Sequence, residues 1–189
     1  MSSINLKRVT KETVISATMN IDGEGVSQVD TGIGFFDHML EALSKHSGID
    51  LIVKAEGDTH VDFHHTVEDV GIVLGNLIRK SLENRNFNRY GYAVIPMDEA
   101  LVLSSIDICN RCFFNYDCNL TGSIGSFDAE LIEEFFRAFA NNARMVLHIK
   151  QLYGSNRHHI AEAIFKSVAY ALKEAVKPAK RTPTTKGSL

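Results

Sequence analysis

Apolar residues along the chain switch between two periods in a fixed order. From 4 to 21, Val, Ile and Thr alternate with polar positions, the period of half-buried strands, with a break near Lys11-Glu12. Asp22-Gly23-Glu24-Gly25 reads as a turn and Val26 to Asp30 as a third short strand. After Thr31-Gly32-Ile33-Gly34, the residues Phe35, Phe36, Met39, Leu40 and Leu43 recur at spacings of three and four, which predicts a helix stopped by Gly48. Ile49, Leu51, Val53 and Ala55 return to alternation, Gly57 to Phe63 is a loop, and Val67, Val70, Val73, Leu74, Leu77 and Ile78 mark a longer helix. Arg85 to Arg89 is a polar break.

The second half repeats this grammar. Strands are predicted near 91–96, 100–108 and 112–120, then a turn at Thr121-Gly122-Ser123. Asp128 is placed to N-cap a helix carrying Leu131, Ile132, Phe135, Phe136 and Phe139. Met145 to Ile149 is a strand, Tyr153-Gly154-Ser155-Asn156 a loop, and a last helix ends near Val176. The pattern predicts an α+β fold made by internal duplication, each half a small, mostly antiparallel sheet with two helices on one face. The first repeat covers 1–90, the second 91–177, and 178–189 forms a C-terminal tail. One unit of this size buries little surface, so the copies should pack on each other.

Composition narrows the class. Of 189 residues, 44% are hydrophobic and 23% charged, and the formal net charge is -3, so neither nucleic acid nor a membrane surface is favoured as a partner. The first residues have no signal-like apolar run, and no stretch approaches the roughly 18 apolar residues of a spanning helix. Cys109, Cys112 and Cys118 are an odd, clustered set, a poor disulfide framework, which fits a cytoplasmic chain. Cys109 and Cys112 fall in an alternating segment, where a spacing of three puts them on opposite faces.

The chemistry lies where each long helix begins. His64-His65-Thr66-Val67-Glu68 returns as His158-His159-Ile160-Ala161-Glu162, an offset from His64 to His158 of 94, whereas Leu51 and Leu147 are offset by 96. The loops before the two motifs therefore differ by two residues. In a helix, His and Glu three and four apart share a face, while adjacent histidines point about 100° apart. Each motif thus aims two imidazoles at two points, as a two-metal site requires. On the first short helix stands His38, whose counterpart at an offset of 96 is Glu134. The duplication gives a ligand set of His38, His64, His65, Glu68, Glu134, His158, His159 and Glu162.

Four stretches carry a resemblance to the imidazoleglycerol-phosphate dehydratase family of histidine biosynthesis: Gly34-Phe35-Phe36-Asp37-His38-Met39-Leu40, His64-His65-Thr66-Val67-Glu68-Asp69, Pro96-Met97-Asp98-Glu99-Ala100-Leu101 and Asn156-Arg157-His158-His159-Ile160-Ala161-Glu162-Ala163. The likeness runs from Arg8-Val9-Thr10-Lys11-Glu12-Thr13 to Lys186-Gly187. It implies loss of water from D-erythro-imidazole-glycerol phosphate to give imidazole-acetol phosphate, with two manganese ions per active site. It also implies sites between subunits and a metal-dependent assembly of trimers into a 24-subunit shell. Glu12 matches a family glutamate used in acid–base chemistry, Glu162 combines ligation with proton handling, and His46 and Asp98 match positions near the substrate hydroxyls. Arg89, Arg111, Lys166, Thr185 (where serine is usual) and Lys186 match phosphate contacts, Lys186 folding over bound ligand. Without ligand, the tail from Lys177 is expected to be unordered.

Elimination needs a proton from a weakly acidic carbon, and Lewis-acid ions can stabilise an imidazolate-like ring. The chain departs from the family at Phe63, where Asp is frequent, at Asn110-Arg111-Cys112 in place of Gly-Arg-Pro, and at Glu134, where some members have His. His60 and His148 read as structural. The competing readings are a dinuclear metallohydrolase and a non-catalytic metal-assembled shell.

Overall fold

The computed structural model describes residues 3–185. Among these, the first half runs β1 (Ile4–Val9), β2 (Thr13–Asn20), β3 (Ser27–Asp30), α1 (Gly34–Ser47), β4 (Asp50–Gly57) and α2 (His64–Ser81). The second runs β5 (Tyr90–Met97), β6 (Ala100–Ile108), β7 (Phe113–Asp117), β8 (Ser123–Ile124), β9 (Phe127–Asp128), α3 (Glu130–Ala143), β10 (Met145–Tyr153) and α4 (Arg157–Ala175). The sheets share one order, β1-β2-β4-β3 and β5-β6-β10-β7, antiparallel except where β3 meets β4 and β7 meets β10. The internal duplication is therefore a property of the fold as well as of the motifs.

Alternation decides which sheet face is dry. Ile15, Ala17 and Met19 of β2, Leu51, Val53 and Ala55 of β4, and Met145, Leu147 and Ile149 of β10 are all buried. The helices cover those faces and meet each other, α2 along α3 and α1 along α4. The layers run sheet, helix pair, helix pair, sheet, with Phe36, Phe127, Phe135, Phe136, Phe139 and Phe165 filling the centre. Burying the large aromatics contributes roughly 2–3 kcal/mol each. A helix is stopped where the backbone turns left-handed, as at Gly48 with φ 78°.

Several local expectations change. Asp128 does not cap α3: it pairs with Ser123 in a small β8–β9 ribbon, and the N-cap position is Ala129, without a side-chain cap. Local sequence gave Asp128 the right chemistry, but the ribbon claims its backbone. The strand expected over 112–120 is the shorter β7, which pairs with β10 only from Phe113 to Asp117. Cys109 and Cys112 lie in the β6–β7 connection, one buried and one exposed, and all three cysteines are free. The tail makes contacts back to the α2–β5 connection: Phe87 bridges Pro178, the Ala179 N–H donates to the Asn86 carbonyl at 3.1 Å, and the Phe87 N–H donates to Thr182 Oγ1 at 3.1 Å. Lys186 lies outside the described residues. Among the described residues no helix is long and apolar enough to cross a membrane.

Candidate metal centre and active site

The start of α4 is organised by Asn156, whose side-chain oxygen accepts the N–H groups of His158 at 2.9 Å and His159 at 3.3 Å. This cap sets the first turn so that His158 and Glu162 share a face, with Nε2 and Oε2 3.3 Å apart. The packing of α1 on α4 delivers His38, its Nε2 3.8 Å from the same carboxylate oxygen. Ligand atoms of His38, His158 and Glu162 all lie within 4.8 Å of one another. Lys166, one turn on, donates to Glu162 Oε1 at 2.6 Å. Burial pushes the Glu162 pKa up, but the Lys166 hydrogen bond and charge, with His38 and His158, outweigh it and hold the carboxyl below its ordinary value. Two imidazoles and an ionised carboxylate are a donor set that fits a divalent transition ion such as manganese.

The second histidine of each motif turns elsewhere, as the helix geometry requires. The rings of His64 and His65 are 6.3 Å apart at 88°, those of His158 and His159 6.4 Å apart at 85°. His65 Nδ1 meets Asp58 Oδ2 at 3.0 Å, and His159 Nδ1 meets Glu99 Oε2 at 2.6 Å. These hydrogen bonds are the main reason both histidine pKa values rise. Glu99 is also gripped through Oε1 by the N–H groups of Asn156 at 2.6 Å and Ser155 at 3.1 Å. His159 first, then those amides, bring the Glu99 pKa down to about 2. Sequence reasoning missed both carboxylates. No periodic signal marks either one, and the equivalence of Glu99 with Glu12 appears only once β2 and β6 are matched in the two sheets.

The remaining residues fall into place unevenly. His64, Glu68 and Glu134 form no three-ligand cluster among the described residues, and Glu134 lies 3.6 Å from Arg137 on its own helix. Phe63 occupies the N-cap of α2 without capping it, and the His64 N–H instead donates to Asp62 Oδ1 at 2.8 Å. Glu12, at the β1–β2 tip, accepts the Asp58 N–H on its carbonyl at 3.1 Å, and its charge helps raise the His65 pKa. The same tip is tied to α2 by Asp69, which accepts from Arg8 at 2.8 Å and from Thr13 at 2.5 Å. His46 lies beside the Tyr170 ring at 5.5 Å; burial, then Lys166, lowers its pKa, which favours the neutral imidazole. Asp98 sits in the β5–β6 turn, φ 46°, with Oδ2 3.4 Å from His159 Nε2. His148 packs on Phe113 at 5.4 Å on the outer side of β10.

The expected phosphate contacts split in two. Arg89, Arg111 and Thr185 line one cleft together with Arg181, while Lys166 stands at the His38–His158–Glu162 cluster. Arg89 is already held: Nε and Nη2 donate to the Asp107 carboxylate at 2.6 and 3.1 Å, and Nη1 to the Pro183 carbonyl at 2.7 Å.

The comparisons agree on one family. The family model for imidazoleglycerol-phosphate dehydratase matches residues 31–172. An imidazoleglycerol-phosphate dehydratase of a Nitratiruptor species is 56% identical over 98% of this chain and 100% of its own length. One of an Exiguobacterium species is 53% identical over 99% of this chain and 98% of its own. The crystal structure of the Staphylococcus aureus imidazoleglycerol-phosphate dehydratase superposes with a TM-score of 0.86 at 38% identity, covering 94% of this chain and 100% of that one. The Pyrococcus furiosus structure, in complex with (S)-C348, gives 0.87 at 40% identity over 97% and 100%. With the model spanning most of the chain and relatives matching end to end, this chain belongs to the imidazoleglycerol-phosphate dehydratase family.

Proposed function

We propose that the chain removes water from imidazoleglycerol phosphate to form imidazole-acetol phosphate in histidine biosynthesis, using two manganese ions per active site. The observation that carries this reading is the His38–His158–Glu162 cluster, three ligand atoms within 4.8 Å of one another. His65 and His159, each held through Nδ1, complete the donor set with His64, Glu68 and Glu134. Sites between subunits are supported by the open α2 half, whose ligands find no third donor among the described residues of one chain. In this reading trimers assemble into a 24-subunit shell when metal joins them, and the tail with Lys186 closes over bound ligand.

The reaction loses the hydroxyl from the carbon beside the imidazole and takes one proton from the neighbouring, hydroxyl-bearing carbon, giving an enol that becomes the ketone on that middle carbon. Bound divalent ions supply Lewis-acid stabilisation of the negative charge that develops on the ring. Glu12, exposed at its hairpin tip, is the acid–base group. Glu162 is kept ionised by Lys166 and is available as a ligand and a proton acceptor. His46, favoured as the neutral imidazole, and Asp98 orient the substrate hydroxyls. In this reading the phosphate binds in the cleft of Arg89, Arg111 and Thr185, and Lys186 and Lys166 add their positive charges.

The test is direct. Purified protein loaded with manganese and given imidazoleglycerol phosphate should release an enolisable ketone that absorbs in alkali. Release of inorganic phosphate instead would make it a metallohydrolase, and no turnover at all a metal-assembled shell.

A further inference from the structure

The two halves use one duplicated carboxylate position differently. Glu12 is the last residue before β2, and Glu99 is the last residue before β6. Both tips lie against the segment that leads into a His-His helix. In the second half that segment is short, residues 154–156, and Glu99 reaches the helix itself: it accepts two N–H groups on Oε1 and holds His159 Nδ1 at 2.6 Å on Oε2. In the first half the segment is longer, residues 58–63, and its first residue, Asp58, takes that task, holding His65 Nδ1 at 3.0 Å. Asp58 is fixed in turn by its own N–H on the Glu12 carbonyl. The Glu12 carboxylate is exposed and has no hydrogen-bond or ion-pair partner among the described residues.

We infer that Asp58 and Glu99 are matched positioning residues that fix the ring tautomers of His65 and His159, and that the longer first loop, by supplying Asp58, releases Glu12 for proton transfer. The inference rests on the proposed ligand roles of those two histidines. A carboxylate facing Nδ1 keeps the ring proton there and leaves the Nε2 lone pair for a metal. Glutamine at 99 would keep an oxygen for the two backbone N–H groups but turn an NH2 donor towards Nδ1. The ring proton would then move to Nε2, where it blocks ligation.

Manganese affinity of the full-length assembled protein, measured by competition with a chelator, reads this directly. Glu99→Gln and Asp58→Asn should each bind manganese about 10–100-fold more weakly. Glu99→Asp, which keeps the acceptor, should lie closer to wild type than Glu99→Gln, while the metal-free thermal midpoints of all three stay close together. Glu12→Gln should bind manganese like wild type and lose turnover by about 10²–10⁴-fold. Wild-type manganese affinity in Glu99→Gln, or metal loss in Glu12→Gln equal to that in Glu99→Gln, overturns the division of roles. So does a Glu99→Asp variant no better than Glu99→Gln. If wild type binds manganese but does not act on imidazoleglycerol phosphate, the proposed function fails, and the affinity series still decides the inference.

Discussion

The helices α2 and α4 carry the same His-His-x-x-Glu motif in the same place, yet only α4 closes a metal cluster among the described residues of one chain. On α4 the Asn156 cap, the packing of α1 and the Lys166–Glu162 ion pair converge on His158 and Glu162. On α2 the corresponding neighbour from α3 is Glu134, which turns towards Arg137. The helix contacts differ in closeness too. α2 meets α3 through Gly71 and Gly75, where an added Cβ would lie 2.7 Å from the Phe135 carbonyl oxygen and 2.4 Å from that of Phe139. At the equivalent positions α4 has Phe165 and Ala169, and Phe165 stacks on Phe135 at 5.5 Å. Duplication kept the layout while the contacts diverged, so equal motifs do not make equal sites.

The comparison can be broken most strongly at the ligands. His158→Ala should weaken manganese binding by on the order of 100-fold or more, since even outer partners of a ligand are worth 10–100-fold. His65→Ala should lose manganese and stop at a trimer by light scattering; native mass with full metal content would remove α2 from the metal set. A finer cut is Glu134: Glu134→Ala should lower manganese per chain and Glu134→His should restore it, as read by metal analysis. Unchanged metal in Glu134→Ala would leave this residue an ordinary partner of Arg137.

Packing separates the halves next. Gly75→Val should destabilise the protein by about 1–3 kcal/mol in denaturant unfolding, because backbone on α3 must move to admit the side chain. Ala169→Gly on α4 should cost about 1 kcal/mol, mainly through helix propensity. The smallest effect concerns Asp50, which holds the β2–β3 turn by accepting the N–H groups of Glu24 at 2.9 Å and Val26 at 3.0 Å. The Val26 amide first, then that of Glu24, lowers its pKa. A depressed folded pKa means the stabilisation is present above the unfolded value near 4 and is lost as pH falls through the lower folded one. Asp50→Asn should therefore be slightly less stable than wild type above about pH 4 and lack the acid-dependent fall below it, as thermal melts across pH would record.

Much of the fold was legible because burial alternates with the two periods. The strand and helix order followed from them, and the duplication from the 94- and 96-residue offsets. The misread Asp128 is a place where a backbone partner outside the local window took control, and the 112–120 strand runs only as far as its pairing with β10. In the site, His38, His158 and Glu162 were readable because helical spacing and symmetry put them on facing surfaces. Asp58 and Glu99 were not, since a carboxylate that orients an imidazole leaves no periodic trace.

By itself, then, the sequence determined the architecture, the His-His-x-x-Glu pair and a family resemblance that the comparisons confirm. Local periodicity and motif identity are properties of neighbouring residues, and they survive without knowledge of the fold. Only the tertiary structure decided that His38 meets the α4 motif, that Glu134 turns to Arg137, and that Glu12 and Glu99 stand at one repeated position with different neighbours. Those facts depend on loop length and helix approach, which set distances between segments far apart in the chain.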